Sequence, residues 1–294
     1  TRRARNPQNR ATGWKDDAIE ELAATHARGE PLAAARFTRV LSDGKRLLQR
    51  VIEGRWLQAH GAIGLYAAQQ MRDDDIAFFG DEYRNSTPLM TWHGLRLQTE
   101  RPVIDGENGE KIRRPNRCLA DYVSPEGNDY AGMFAVSIHG VEKKETQFLA
   151  DHDDYSAIML KALADRLAEA FAERLHQRVR TEFWGYAPDE ALANADLIAE
   201  KYQGIRPAPG YPACPDHTPK RALFRTLGVA ELGMGLTESL AMTPASSVSG
   251  FYIAHPDAAY FNVGNIGQDQ LQDWAERNAL DKAAAERALA PLLG

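Results

Sequence analysis

The segment RPAPGYPACPDHT, residues 206–218, contains four prolines in thirteen positions and lies between two stretches with helical patterns. Proline fixes its own φ, removes a backbone N–H donor and pushes the residue before it toward extended conformations. These constraints exclude a helix here and disfavour a central strand. We therefore predict a stiff, extended segment with Arg206 at one end and Asp216 and His217 at the other.

The composition is that of a soluble globular protein. The 294 residues are 44% hydrophobic and 26% charged, and the net charge of −6 disfavours nucleic-acid binding. No apolar run approaches the roughly 20 residues of a membrane span. Two cysteines, Cys118 and Cys214, are too few for a disulfide framework, so we expect a reducing, cytoplasmic location.

Hydrophobic periodicity and turn residues predict the order of helices and strands. Predicted helices cover 14–31, 31–56, 87–100, 153–181, 188–202, 219–228, 267–278 and 281–293. Predicted strands cover 61–68, 74–81, 118–123, 130–138, 237–242, 248–254 and 259–264, with the strands at 118–123 and 130–138 paired. Asp105-Gly106 and Asn108-Gly109 indicate turns.

The longest predicted helix, 153–181, has Asp153 or Asp154 as its N-cap. We expect its apolar face to be Ile158, Leu163, Leu167, Phe171, Leu175 and Val179. Helices without regular alternation with strands predict an α+β fold with an antiparallel sheet. Residues 1–13 read as a tail or linker remnant, and residues 14–294 as one domain because no linker interrupts 40–290.

Three motifs resemble sites but are incomplete. GMGLTE, 233–238, imitates a dinucleotide fingerprint, yet it lacks the preceding strand and following helix. Cys214, Asp216 and His217 have no second ligand pair for structural zinc, and a Cys214–His217 dyad spans Pro215. His152 with Asp153 and Asp154 is equally incomplete. We predict no metal site and no catalytic residue.

Arg206 is the strongest candidate for ligand binding. Beside a rigid loop, its planar guanidinium can bind a carboxylate or phosphate with little ordering, and Gly210 permits close approach of a ligand. Because prolines lack N–H groups, exposed carbonyls outnumber donors and favour a cationic ligand group. The same residues are equally compatible with a structural loop whose Arg206 forms a salt bridge. On a predicted strand, one of Tyr260 and Phe261 would face outward to stack on a heterocycle, although packing alone explains both rings.

Several ordered blocks resemble one family. GIRPAPGYPACPDHT is similar to the signature of the C-terminal activation domain of cobalamin-dependent methionine synthase. The blocks that accompany it in the same order are CLADYVSPEGNDYAGMFAV, HDDYSAIMLKALADRLAEAFAERLHQRVR, FWGYAPDE, LTESLAM, SVSGFYIAHPDAAYF and DQLQDWAERN. Together they cover roughly residues 85 to 290.

The resemblance implies a C-shaped α+β domain with a twisted antiparallel sheet and flanking helices. It implies that the domain binds S-adenosylmethionine and supports reductive methylation of cob(II)alamin to methylcobalamin. Cobalamin would be held by a partner domain, and the electron would come from a flavodoxin-like donor. The parent enzyme transfers a methyl group to homocysteine, and the isolated chain is not expected to turn over alone.

The resemblance also implies roles for individual residues. Arg206 would bind the methionine carboxylate, and backbone groups of Ala208 and Gly210 would line the same site. Tyr211 would lie beside the corrinoid. Tyr260 and Phe261 match a ligand-contacting aromatic pair, and Glu169 matches a carboxylate near the ligand.

One expected feature is missing. Family members carry a segment of the type YIDWTPFF near the start of the domain, whose aspartate contacts the ligand, and residues 1–41 lack it. A diverged docking module of the same fold, without S-adenosylmethionine binding, is therefore an alternative. A free-standing hydrolase or metalloenzyme that uses Cys214, Asp216 and His217 is a third hypothesis. No corrinoid motif, folate barrel or zinc-thiolate site is recognisable in this sequence.

Overall fold

The computed structural model describes residues 31–82, 86–99, 102–104, 111–113 and 115–293. Its α-helices are α1 Pro31–Gly54, α2 Val141–Ala150, α3 Asp154–Arg178, α4 Asn194–Ile198, α5 Pro219–Leu227, α6 Gln268–Arg277 and α7 Lys282–Ala288. Its strands are β1 Gln58–Met71, β2 Asp75–Phe79, β3 Met90–His93, β4 Pro102–Ile104, β5 Lys111–Arg113, β6 Asp129–His139, β7 Gly235–Leu236, β8 Met242–Thr243 and β9 Ser247–Tyr252. Single turns of 3₁₀-helix cover Leu119–Tyr122, Val229–Leu232 and Ala290–Leu292.

A curled five-stranded antiparallel sheet, in the order β3-β2-β1-β6-β9, confirms the predicted α+β class. β1 and β6 pair along eleven residues, from Gln58 opposite His139 to Ala68 opposite Asp129. β4 with β5 and β7 with β8 form two small separate ladders.

Helices cover both faces of β6, an interior strand of the sheet. Successive side chains of a strand point to opposite faces. Phe134 and Val136 pack with Ala172 of α3, whereas Met133 and Ala135 lie in the cluster that contains Leu223 and Phe224 of α5. This double covering explains why almost the whole strand is apolar and buried.

Helix α3 begins as predicted, with the Asp153 carboxylate accepting a hydrogen bond from the Ser156 N–H at 3.0 Å. The predicted apolar face is wrong at one end, because Ile158 is 65% exposed. The helix buries a stripe of small and apolar residues instead: Ala157, Leu160, Leu163, Ala164, Ala168 and Ala172. Alanines permit close packing against the sheet. The buried face of α3 is therefore rotated about the helix axis relative to the face predicted from large apolar side chains. A π-helical turn, Val179–Phe183, continues α3.

The predicted helix over 87–100 is wrong, since β3 pairs there with β2 and Trp92 lies opposite Ile76. Side chains of α6 donate hydrogen bonds to backbone carbonyls that would accept intrahelical bonds if residues 87–100 were a helix. Trp274 Nε1 donates to the His93 carbonyl at 3.2 Å, Arg277 Nη2 to that of Gly94 at 3.0 Å and Gln270 Nε2 to that of Arg96 at 3.1 Å.

Four shorter predictions also fail. The predicted strand 118–123, and with it the predicted pairing, is replaced by a 3₁₀ turn in which the Asp121 carboxylate accepts from the Cys118 N–H at 2.8 Å. Residues 237–242 mostly form the turn between β7 and β8, closed by the Thr237 N–H bond to the Ala241 carbonyl. Residues 259–264 form no strand, and of 188–202 only α4 is α-helical.

The other predictions that fall on described residues agree with the structure. They are α1, the strands β1, β2, β6 and β9, helix α5 with Gly228 left-handed after it, and the pair α6 and α7. Helix α2 and the strands β4 and β5 were not predicted. The predicted tail 1–13, the helix 14–31 and both predicted turns lie outside the described residues. Within the part that the structure describes, no helix is both long and apolar enough to cross a membrane.

Candidate functional site

The proline segment runs along the free edge of β9. Ile205 and Ile253 exchange both backbone hydrogen bonds, at 2.9 and 3.0 Å, and the Phe251 N–H donates to the Pro207 carbonyl at 2.9 Å. Pro207 has no N–H to donate back to the Phe251 carbonyl, so this contact has one backbone hydrogen bond where the Ile205–Ile253 pair has two. Gly250 permits this contact, since a Cβ there would overlap the Pro207 carbonyl oxygen.

A tight turn follows the extended part. Gly210 has a φ of +97°, its N–H donates to the Cys214 carbonyl at 2.7 Å, and the Cys214 N–H donates to the Tyr211 carbonyl at 2.8 Å. The Val263 N–H bonds to the Pro212 carbonyl at 2.9 Å. Hydrogen bonds to β9 therefore hold the start of the segment, and the bond from Val263 holds Pro212.

Arg206 is buried, with only 3% of its surface exposed. Its backbone N–H donates to the Tyr260 hydroxyl at 3.0 Å, and its Nη1 donates to the Tyr202 hydroxyl at 2.9 Å. Its Nη2 lies 2.8 Å from Oε2 of Glu173 in a salt bridge, and Nη1 lies 3.5 Å from Nδ1 of His176. The salt bridge of the structural interpretation is therefore present. The ligand-binding role of Arg206 stays a prediction.

The electrostatics of this cluster keep Arg206 charged and His176 neutral. Burial alone would lower the pKa of Arg206, but the Tyr202 phenol and the Glu173 carboxylate outweigh it and the pKa is raised. Burial, followed by the charges of Arg206 and Arg180, holds the pKa of His176 well below its ordinary value. The cluster therefore contains one cation directly paired with one carboxylate.

A second buried ion pair, between Arg180 and Glu190, adjoins this cluster through the ring of Tyr202. Arg180, in the π-helical turn, donates from Nε and Nη2 to the two carboxylate oxygens of Glu190 at 2.6 and 2.7 Å. Its guanidinium lies 4.0 Å from the centre of the Tyr202 ring. Both side chains of the ion pair are almost fully buried.

Sequence reasoning missed Glu173, His176, Arg180 and Tyr202. A signal was present, because Glu169, Glu173 and His176 occupy positions i, i+4 and i+7 of one helix face. They share the face of the small residues Ala168 and Ala172, which the large-residue pattern did not identify as the buried face.

Glu169 lies near Arg206 and Tyr211. Its side chain is half-buried, and burial raises its pKa while the charge of Arg206 lowers it. Burial and then the Glu169 charge raise the pKa of Tyr211. Glu169 of α3 therefore interacts electrostatically with Arg206 and Tyr211 of the proline segment.

The remaining predicted residues are spread along the segment and beside it. Ala208 is buried, whereas Gly210 is exposed. Tyr260 and Phe261 do not lie on a strand, and both rings pack against the main core. The expected alternation is therefore wrong here, and the Tyr260 hydroxyl contacts the Arg206 backbone.

Cys214, Asp216 and His217 have separate environments. Burial raises the pKa of the Cys214 thiol, which disfavours a nucleophilic thiolate. Asp216 accepts hydrogen bonds from the N–H and hydroxyl of Thr218 at 2.8 and 2.5 Å, and His217 Nδ1 contacts Lys220 Nζ at 2.9 Å. Among the described residues, no group of three or more His, Cys, Asp or Glu could hold a metal ion.

The other two incomplete motifs have structural explanations. Asp153 caps α3, and His152 precedes it with a φ of +57°. GMGLTE includes the two-residue strand β7 and is followed by a turn, so it lacks the helix N-terminus that a dinucleotide pyrophosphate requires.

Two comparisons agree on the family. Residues 22–279 match the model described as "Vitamin B12 dependent methionine synthase, activation domain". The chain is also similar to a solved structure described as "Crystal Structure of the MetH Reactivation Domain bound to AdoHcy", with 43% sequence identity and a TM-score of 0.83. The match covers 97% of this chain and 83% of that chain. The chain therefore belongs to the activation-domain family of vitamin B12-dependent methionine synthase.

Proposed function

We propose that this chain binds S-adenosylmethionine and acts as the reactivation domain of a cobalamin-dependent methionine synthase. The observation that carries the proposal is the 43% identity, over 97% of the chain, to a MetH reactivation domain bound to AdoHcy. AdoHcy is S-adenosylmethionine without its transferable methyl group, so a site for one accepts most atoms of the other.

The environment of Arg206 supports a role for this residue in binding the methionine carboxylate. A buried guanidinium attracts a carboxylate strongly, and a planar fork favours two parallel hydrogen bonds. The backbone of Arg206 and its neighbours is already ordered by β9 and Tyr260. Binding would therefore order little of the chain, which favours affinity.

The opposite end of the ligand is cationic. Glu169 adds a carboxylate near Arg206 and Tyr211, and oxygen-rich surroundings attract a sulfonium or ammonium group. Backbone groups of Ala208 and Gly210 would line the same site. Tyr260 and Phe261 would complete it, and Tyr211 would lie toward the corrinoid.

Bound S-adenosylmethionine supplies the methyl group for reductive methylation of cobalamin. The residues of this chain would bind and orient the donor, while a separate cobalamin-binding domain holds the corrinoid. A flavodoxin-like protein would supply the electron. The complete enzyme would transfer methyl groups to homocysteine, and this chain alone would not turn over.

Calorimetric titration with S-adenosylmethionine tests the proposal. Arg206→Lys keeps the charge opposite Glu173 but removes the planar fork, so we expect at least tenfold weaker binding, or about 1.4 kcal/mol. Arg221→Lys, at an exposed position of α5, is the matched control and should bind as the parent chain does.

The outcomes separate the candidate functions. Equal affinity of Arg206→Lys and the parent chain would remove Arg206 from the site. A folded parent chain that binds no S-adenosylmethionine would favour the diverged docking module instead.

A further inference from the structure

We propose that Tyr202 is a positioning residue, which fixes the orientation of the Arg206 guanidinium toward the ligand carboxylate. This inference rests on the proposed function and adds a residue to its site. Tyr202 lies four positions before Arg206, and its hydroxyl accepts the Nη1 hydrogen bond of Arg206 at 2.9 Å.

Tyr202 and Glu173 bind different nitrogens of the guanidinium. Glu173 lies 2.8 Å from Nη2, and Tyr202 lies 2.9 Å from Nη1. Without Tyr202, Nη1 would keep only the long 3.5 Å contact to Nδ1 of His176, and the planar group could rotate about its contact at Nη2. The shorter hydrogen bond to Tyr202 removes this freedom and selects one orientation of the fork.

Tyr202 is itself held in place from two other directions. The Arg180 guanidinium lies 4.0 Å from its ring centre, fixed by Glu190 at 2.6 and 2.7 Å. The His176 ring meets it edge-on, with 5.2 Å between ring centres. Because Tyr202 is only 8% exposed, the hydroxyl has little room to move.

A phenol suits this task because it orients the guanidinium without neutralising it. Burial raises the pKa of Tyr202 to about 12, so the hydroxyl stays protonated at neutral pH. A second carboxylate at this place would compete with the ligand carboxylate for the charge of Arg206. The neutral contact leaves that charge available, and the preordered fork reduces the entropy lost on binding.

Tyr202→Phe removes the hydroxyl and keeps the ring beneath Arg180. We would measure the affinity for S-adenosylmethionine and for decarboxylated S-adenosylmethionine, which lacks only the carboxylate. We expect roughly tenfold weaker binding of the first ligand and little change for the second, since Tyr202 acts through Arg206.

Tyr186→Phe is the matched control. Its hydroxyl donates to the Gln203 carbonyl at 3.3 Å, so the same chemical change occurs near the site without touching Arg206. Thermal unfolding of both variants would report any general loss of structure, and both ligands should bind the control as they bind the parent chain.

The result distinguishes a positioning role from a structural one. An equal loss for both ligands would mean that Tyr202 only supports the fold, and unchanged affinity for S-adenosylmethionine would likewise overturn the inference. A parent chain that binds neither ligand would overturn the proposed function together with it.

Discussion

Arg206, Glu173 and His176 show how individual residues place charge inside this protein. A buried ion pair contributes little net stability, because desolvation offsets most of the attraction between its charges. Net stability therefore does not by itself explain why Arg206 and Glu173 are paired in the interior. His176 tolerates the same environment by remaining neutral, since its Nδ1 faces Nη1 of Arg206.

The neutrality of His176 predicts a pH dependence of stability. The pKa of a histidine in the unfolded chain is about 6.5, whereas that of folded His176 lies well below its ordinary value. Below about pH 6.5 the unfolded chain binds a proton that the folded chain does not. The unfolding free energy should thus fall on acidification by up to about 1.4 kcal/mol per pH unit.

Urea unfolding of the parent chain and of His176→Phe between about pH 7.5 and 5.5 measures this contribution. Phenylalanine keeps a ring against Tyr252, whose centre lies 5.1 Å from that of His176. We expect the difference between the two variants to decrease on acidification. A constant difference would show that His176 is protonated equally in the folded and unfolded states.

At the scale of elements, the contact between β9 and the proline segment positions the candidate site. Gly250 lies beside the Pro207 carbonyl, and its missing side chain leaves room for that carbonyl. The Phe251 N–H bond to that carbonyl depends on this approach. The geometry of the segment is therefore determined partly by a glycine 43 positions after Pro207.

Gly250→Ala should displace the proline segment from β9. Forcing a methyl group against a backbone carbonyl costs about 1–3 kcal/mol of unfolding free energy. The affinity for S-adenosylmethionine should fall as well, because Arg206 moves with the segment. Gly44→Ala, in α1 with open space around its Cβ, is the control and should be stabilised by about 0.5–1 kcal/mol. Unchanged stability and affinity of Gly250→Ala would contradict this account.

The accuracy of the sequence predictions follows from where the determining contacts lie. The start of the proline segment and the N-cap of α3 depend on neighbouring residues, so they were predicted correctly. β3 was predicted as a helix because its conformation depends on Ile76 of β2 and on side chains of α6, far along the chain. Glu173 was missed because only the folded chain brings this face of α3 to Arg206.

At the scale of the whole molecule, the core has a main part around the sheet and a smaller part at the C-terminus. The main sheet is covered on both faces by clusters that include residues of α3 and α5. The C-terminal cluster contains Leu271, Trp274, Ala285 and Leu289 and meets the rest through Leu95 and the half-buried Phe261. Phe261 also packs against the main core, and it neighbours Tyr260 of the candidate site.

The C-terminal helices should open more readily than the sheet, because small clusters with few anchors form separate cooperative units. Arg277 is their main polar anchor. It forms a salt bridge with Asp75 of β2, donates to the Gly94 carbonyl at 3.0 Å and contacts Asp273 at 2.8 Å. Replacing Arg277 by a neutral residue removes the cation of this ion pair and leaves the Asp75 carboxylate buried without it, which destabilises the contact between α6 and β2.

Arg277→Gln should therefore increase amide hydrogen exchange in α6 and α7 by at least tenfold, equivalent to about 1.4 kcal/mol of local opening. Exchange in β6 should stay unchanged, because that strand lies in the main core. Arg287→Gln, at an exposed position of α7, is the control and should leave both regions unaffected. Equal acceleration in β6 and α6 would mean that the C-terminal helices unfold only with the sheet. Separate opening would instead make the packing of Phe261 a physical link between this unit and the loop that holds Tyr260 against Arg206.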